Sequence, residues 1–117
     1  MKSKFKISVI TVTKNSESYL QETIDSLSKQ TYQDFEHIII DGASTDRTLD
    51  IIKKNSNKIS KWISEPDLGL YYAMNKGLNF CTGEIIGILN SDDIYFPDAL
   101  STVNKYFIKN DIDFLFG

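Results

Sequence analysis

The chain has 117 residues, 41% of them hydrophobic, which suffices for one compact core and is too short for two. Its net charge of −3, with both signs interspersed, excludes the basic footprint of a nucleic-acid binder and the polybasic stretch of an anionic-lipid anchor. Cys81 is the only cysteine, so no internal disulfide is possible; a reduced, cytoplasmic setting is expected, with peripheral attachment at the inner face of the membrane as the alternative.

Near the start, Lys2, Lys4 and Lys6 precede an apolar run that Ser8, Thr11 and Thr13 interrupt, too short for a signal sequence or a transmembrane segment. Residues 6–13 are rich in β-branched side chains and read as a first strand ending at Lys14 and Asn15. Ser16 or Ser18 then caps a helix, the latter with Gln21 as a capping box, and Leu20, Ile24 and Leu27 recur at helical spacing to about Gln30. A second strand over 35–40 closes on Asp41 and Gly42. His37, the only histidine, reads as a strand residue at the sheet's edge rather than a catalyst.

Ser44 is the expected N-cap of the next helix, whose apolar side is Leu49, Ile51 and Ile52 and which ends by residues 55–58. Residues 59–64, with Trp62, form a weak third strand, and Pro66 and Gly69 mark 65–69 as a loop. Residues 70–80 read as a helix with Leu70, Ala73, Met74, Gly77 and Leu78 on one side, and Cys81 as a small core residue near its end. Of residues 84–89, all but Glu84 are apolar or Gly without alternation, which predicts a strand buried on both faces at the centre of a parallel sheet. A helix from about Pro97 to Asn110 follows, and 114–117 open a fifth strand.

Strands alternating with helices predict an α/β, Rossmann-like three-layer sandwich with a mostly parallel sheet, a single domain over 1–117. Ligands of such sheets lie beyond the carboxyl ends of the strands, where Thr13 to Asn15, Asp41 to Ser44 and Asn90 to Asp93 converge on one crevice. Adjacent Asp92 and Asp93 either form a solvated turn or share a divalent cation, Mg²⁺ or Mn²⁺, with a diphosphate. Asp41 either makes an Asx turn into Gly42 or accepts from a nucleobase N–H or ribose hydroxyls. No P-loop, dinucleotide fingerprint or metal-spaced Cys/His set is present.

Five ordered motifs carry a resemblance: residues 8–15, Gln30-Thr31-Tyr32 with Phe35-Glu36, residues 39–48, Gly69 with 73–77, and Gly83-Glu84 through 89–93. Together they resemble the family 2 glycosyltransferases of the GT-A fold over nearly the whole chain. The resemblance implies metal-dependent transfer of a sugar, usually with inversion, from a nucleoside-diphosphate sugar to the hydroxyl of a saccharide or lipid-linked acceptor, often in bacterial surface polysaccharide synthesis. It implies that Thr11, Val12 and Thr13 hold the base, that Asp41 accepts its N–H, and that Asn15, Ser44, Asn75 and Asp92 line the donor, with Asp93 first and Asp92 second as metal ligands.

Three positions depart from the pattern: Gly42 stands where a second Asp is frequent, Asn90 where an acid is, and Met74 where many members have Arg. Lys76 does not replace that Arg, since two positions along a helix points nearly the opposite way. The acceptor half and its general base lie later in the family's chains, so this chain is expected to be the donor-binding half, inactive alone. Phe114 to Phe116 would then lack cover, and a homo-oligomer is expected. The competing classes are a non-catalytic nucleotide-sugar binding or assembly module and a response-regulator receiver, which would need paired acids where Lys14 and Asn15 stand.

Overall fold

The computed structural model describes residues 4–66 and 69–110. Four strands, β1 (Ile7–Thr13), β2 (Phe35–Asp41), β3 (Lys61–Ser64) and β4 (Ile85–Ile88), form one sheet in the order β3-β2-β1-β4. Every pairing is parallel, with Ile7 opposite Phe35 and Thr13 opposite Asp41. The chain builds outward from β1 through β2 to β3, then returns to the other side of β1 for β4. The reversal lies between β1 and β4, where the diverging connections of an open α/β sheet leave a crevice.

Alternation along the strands assigns the two faces. Ile7, Val9 and Ile85 pack with Leu27, Leu100 and Phe107, and Ile39 packs with Leu20, Ile24 and Ile52, so one face is covered by α1 (Leu20–Ser28), α2 (Thr48–Lys54) and α4 (Ala99–Asn110). Ile38, Ile40 and Ala73 cluster on the other, under α3 (Leu70–Phe80). This is the expected three-layer α/β sandwich. α3 lies close because Gly77 has no side chain: a Cβ there would stand 2.7 Å from Ile10 Cγ2. Among the described residues no helix is long and apolar enough to cross a membrane. The expected fifth strand, with Phe114 to Phe116, falls outside the described residues.

Four local expectations are corrected. α1 starts at Leu20 with no side-chain cap, because Ser16 is used elsewhere and the Gln21 amide bonds Asp25 and Asn55 instead of closing a capping box. Ser44 does not cap α2, which begins at Thr48; Asp46 Oδ1 accepts from Thr48 N at 2.9 Å in its place. His37 is not at an edge: β2 has a neighbour on both sides, and the imidazole is buried. Conversely, β4 is the outer strand among the described residues, with only Ile85 of its four residues fully buried.

Candidate functional site

The carboxyl ends of β1, β2 and β4 are stitched together by side chains. Asn15 N donates to Ser44 Oγ at 2.8 Å, and Asn15 Oδ1 accepts from Thr45 N at 2.8 Å. Ser16 N donates to Thr48 Oγ1 at 2.7 Å, and the hydroxyls of Ser16 and Ser91 meet at 2.9 Å. Three polar exits, far apart in the chain, therefore share one edge. Asn15 and Ala43 hold left-handed backbone, with φ of 50° and 58°. Asn tolerates this; at Ala43 it costs about 1–2 kcal/mol, strain held by the bonds on either side.

Asp41 is buried. Its carboxylate accepts from Ser44 Oγ at 2.5 Å, Ser44 N at 2.9 Å and Ser64 Oγ at 2.7 Å. It thus makes the local turn while tying the ends of β2 and β3 together, and Ser44 serves Asp41 and Asn15. Thr11 Oγ1 bonds His37 Nε2 at 2.8 Å in the interior, and Val12 packs toward the α3 side. Thr13 is different: its hydroxyl is buried at the strand end with no hydrogen-bond partner among the described residues. Asn75 is exposed on α3 outside this network. Lys76 is occupied by an ion pair with Glu65.

Asn90, Asp92 and Asp93 are exposed in the turn that follows β4. Asp93 N donates to Asn90 O at 3.0 Å, closing the turn, and Asn90 Nδ2 reaches Asp93 Oδ2 at 3.3 Å. Behind the turn stands α1. Thr23 Oγ1 lies 2.6 Å from Asp93 O and 2.9 Å from Ser91 O, and Ser26 and Gln30 bond the chain beyond. Sequence reading gave none of the three this role, although Gln30 stands in one of the five motifs; the signal of Thr23 and Ser26 is polar side chains at helical spacing beside the apolar row Leu20, Ile24 and Leu27. Tyr95 Oη donates to Ile88 O at 2.8 Å; burial, with the Asp93 charge adding, pushes the phenol up to about 12, so it stays neutral.

Two exposed carboxylates without nitrogen or sulfur donors suit a hard divalent cation, and among the described residues no third acid, His or Cys groups with them. Such a pair leaves the remaining positions to water and phosphate oxygens, the usual pattern for Mg²⁺. Hollows among the described residues lie elsewhere. One, of about 390 Å³, opens between Glu22, Lys29 and Phe96; another, of about 240 Å³, is apolar and lined by Ile85, Gly87 and Val103; a third, of about 200 Å³, lies between Glu17, Arg47 and Asp50. None of these includes Thr13, Asp41, Asp92 or Asp93.

His37 gives a stability test independent of any ligand. Burial pushes its imidazole down to about 3, and Nδ1 has no partner among the described residues. An unpaired lone pair costs less than an unpaired N–H, so we assign the proton to Nε2, donating to Thr11. Above about pH 6.5 neither state is protonated. Below it the unfolded chain takes a proton that the folded chain refuses until about pH 3. Stability should therefore fall with pH by up to about 1.4 kcal/mol per unit between roughly pH 6.5 and 5, where carboxylates hardly titrate. Urea denaturation across this range checks it, and His37→Phe should flatten the slope.

Comparison with known proteins gives a consistent picture. The model of the family described as Glycosyl transferase family 2 matches residues 8–117. The chain is 39% identical over 117 residues to the uncharacterized glycosyltransferase MJ1057 of Methanocaldococcus jannaschii, covering 95% of this chain and 40% of that protein. The crystal structure of S. aureus TarS in complex with UDP-GlcNAc superposes with a TM-score of 0.84 at 32% identity, over 91% of this chain and 32% of that one. The mannosyltransferase PcManGT from Pyrobaculum calidifontis, in complex with GDP-Man and Mn²⁺, superposes with a TM-score of 0.77 at 25% identity, over 88% and 32%. The chain thus spans 40% of the length of this curated relative and about a third of each solved chain.

Proposed function

Because the chain belongs to glycosyl transferase family 2, we propose that its strand-end crevice binds the nucleoside-diphosphate part of a sugar donor and that Asp93, with Asp92, holds a divalent cation there. The observation that carries this reading is the hydrogen-bonded union of the β1, β2 and β4 exits, which sets two exposed carboxylates at the switch point of the sheet. When bound, Mn²⁺ or Mg²⁺ supplies positive charge to the diphosphate leaving group as the bond to the sugar breaks. The Mn²⁺ in the PcManGT complex and the UDP-GlcNAc in the TarS complex support the same assignment.

Within the crevice, Asn15, Ser44 and Asp41 act as one unit. Asp41 fixes Ser44, Ser44 fixes Asn15, and Asn15 orders the backbone at Thr45. They hold a polar floor for the nucleoside in place before any ligand arrives, which lowers the ordering cost of binding. Thr13, whose hydroxyl has no partner among the described residues, is the side chain we assign to a direct contact with the base. Asp41 contributes by positioning unless the Ser44 bonds open. Transfer, with inversion, goes to an acceptor hydroxyl on a saccharide or lipid-linked carrier of a surface polysaccharide. The general base it requires is proposed to come from the acceptor-binding half that follows the donor half in this family.

A thermal-shift panel of UDP, GDP, TDP and CDP with and without Mn²⁺ tests the reading, with a transfer assay on the same preparation. One nucleotide should raise the melting temperature further when Mn²⁺ is present than without it; at a hundredfold excess over Kd the gain is about 2.7 kcal/mol. Little transfer is expected from the isolated 117-residue chain. No shift with any of the four, with or without metal, would overturn donor binding, and robust turnover would overturn the placement of the base.

A further inference from the structure

Helix α1 carries a polar row that faces the chain leaving β4. Thr23 and Ser26 are three positions apart and share one face of the helix, and Gln30, two residues past its end, continues the row. From that face the segment 91–100 is held repeatedly by its backbone. Thr23 Oγ1 is within reach of Asp93 O, at 2.6 Å, and of Ser91 O, at 2.9 Å. Ser26 Oγ accepts from Tyr95 N at 3.2 Å and donates to Thr23 O at 2.8 Å. The Gln30 amide donates to Phe96 O at 2.7 Å, and its carbonyl accepts from Leu100 N at 3.0 Å. Thr23 and Gln30 are both buried.

A surface connection ordinarily satisfies its backbone with water and follows its own turn preferences. Here side chains of α1 and of Gln30 just past it, some 70 residues earlier, take that part, and the buried Thr23 hydroxyl lies closer to this segment's carbonyls than to Tyr19 O at the start of its own helix, 3.4 Å away. Thr23 has one proton, given to Asp93 O at 2.6 Å or shared with Ser91 O at 2.9 Å, the carbonyls of the residues on either side of Asp92. Holding the turn at this point restrains the directions in which the Asp92 and Asp93 side chains leave the backbone. We infer that Thr23 is a positioning residue for the acidic turn, with Ser26 and Gln30 holding the next residues in line. This rests on the proposal that the turn carries the cation.

Thr23→Val keeps the shape and removes the hydroxyl; Thr23→Ser keeps the hydroxyl. Mn²⁺ affinity in the presence of UDP, followed by electron paramagnetic resonance, should fall about 10- to 100-fold in Thr23→Val, as for other outer partners of metal ligands, and return in Thr23→Ser. UDP affinity without metal should stay the same. Hydrogen exchange of the ligand-free protein should be faster at residues 91–97 in Thr23→Val alone. Should Thr23→Val not fold, Ser26→Ala removes the Tyr95 contact from a half-buried site, with an expected loss in Mn²⁺ affinity of about two- to tenfold.

Asp93→Ala separates the two ideas. If it removes Mn²⁺ binding while Thr23→Val matches the wild type in both affinity and exchange, the positioning role is wrong and the metal site stands. If Mn²⁺ binding survives Asp93→Ala, the metal assignment is wrong, whatever Thr23→Val does to exchange at 91–97.

Discussion

Asp93→Ala is expected to abolish the manganese-dependent part of nucleotide binding while leaving the fold intact. Asp93 is exposed, and its carboxylate receives a single weak hydrogen bond, from Asn90 at 3.3 Å. Losing it should move stability by no more than about 0.5 kcal/mol, as at other surface positions. A lost metal ligand is another matter. Outer partners of ligands already cost up to roughly 100-fold in affinity, so loss of a ligand should reach or exceed that. Titration of Mn²⁺ into the protein with UDP, alongside a melting curve, separates the two effects. An unchanged affinity would remove Asp93 from the site, and a collapse of the melting temperature would make its role structural.

Gly83→Ala should be the most damaging conservative change to the fold. Gly83 precedes β4, and its N–H donates to Ser8 Oγ at 2.8 Å. Ser8 in turn donates to Glu36 at 2.5 Å, and Thr82 N donates to the same carboxylate at 2.7 Å. A Cβ at 83 would stand 2.6 Å from Ser8 Oγ, 2.7 Å from Ser8 N and 2.8 Å from Lys6 O. Two of those atoms are backbone and cannot rotate away, so the start of β4 must move off β1. Overpacking of this kind costs about 3 kcal/mol, a fall in melting temperature of roughly 10–20 °C. At Gly77 the nearest atom belongs to the Ile10 side chain, which can turn, so Gly77→Ala should cost less. Calorimetry on both variants checks the order, and equal melting temperatures would refute it.

The β-branched stretch 7–13 and the run Ile38-Ile39-Ile40 read correctly as parallel strands, since only a strand covered on both faces lacks alternation. The same rule placed residues 85–88 at the centre of the sheet, yet among the described residues that strand is outermost. An apolar run reports that something covers it and says nothing of what. His37 misled in the opposite way: a lone polar residue in a strand suggests an edge, but Thr11 from the next strand supplies the one bond that lets it be buried.

By itself the sequence determined the succession of strands and helices, the parallel sheet and the three polar strand exits, because periodicity and turn chemistry are local and each element carries its own signal. Only the tertiary structure decided what those exits do to one another. Asp41 is committed to Ser44 and Ser64, Ser16 abandons its helix for Ser91, and Thr23 holds the turn that presents Asp92 and Asp93. A hydroxyl can satisfy any of several neighbours, and which one it takes depends on distances set by elements as many as 75 positions apart, for which no spacing rule exists.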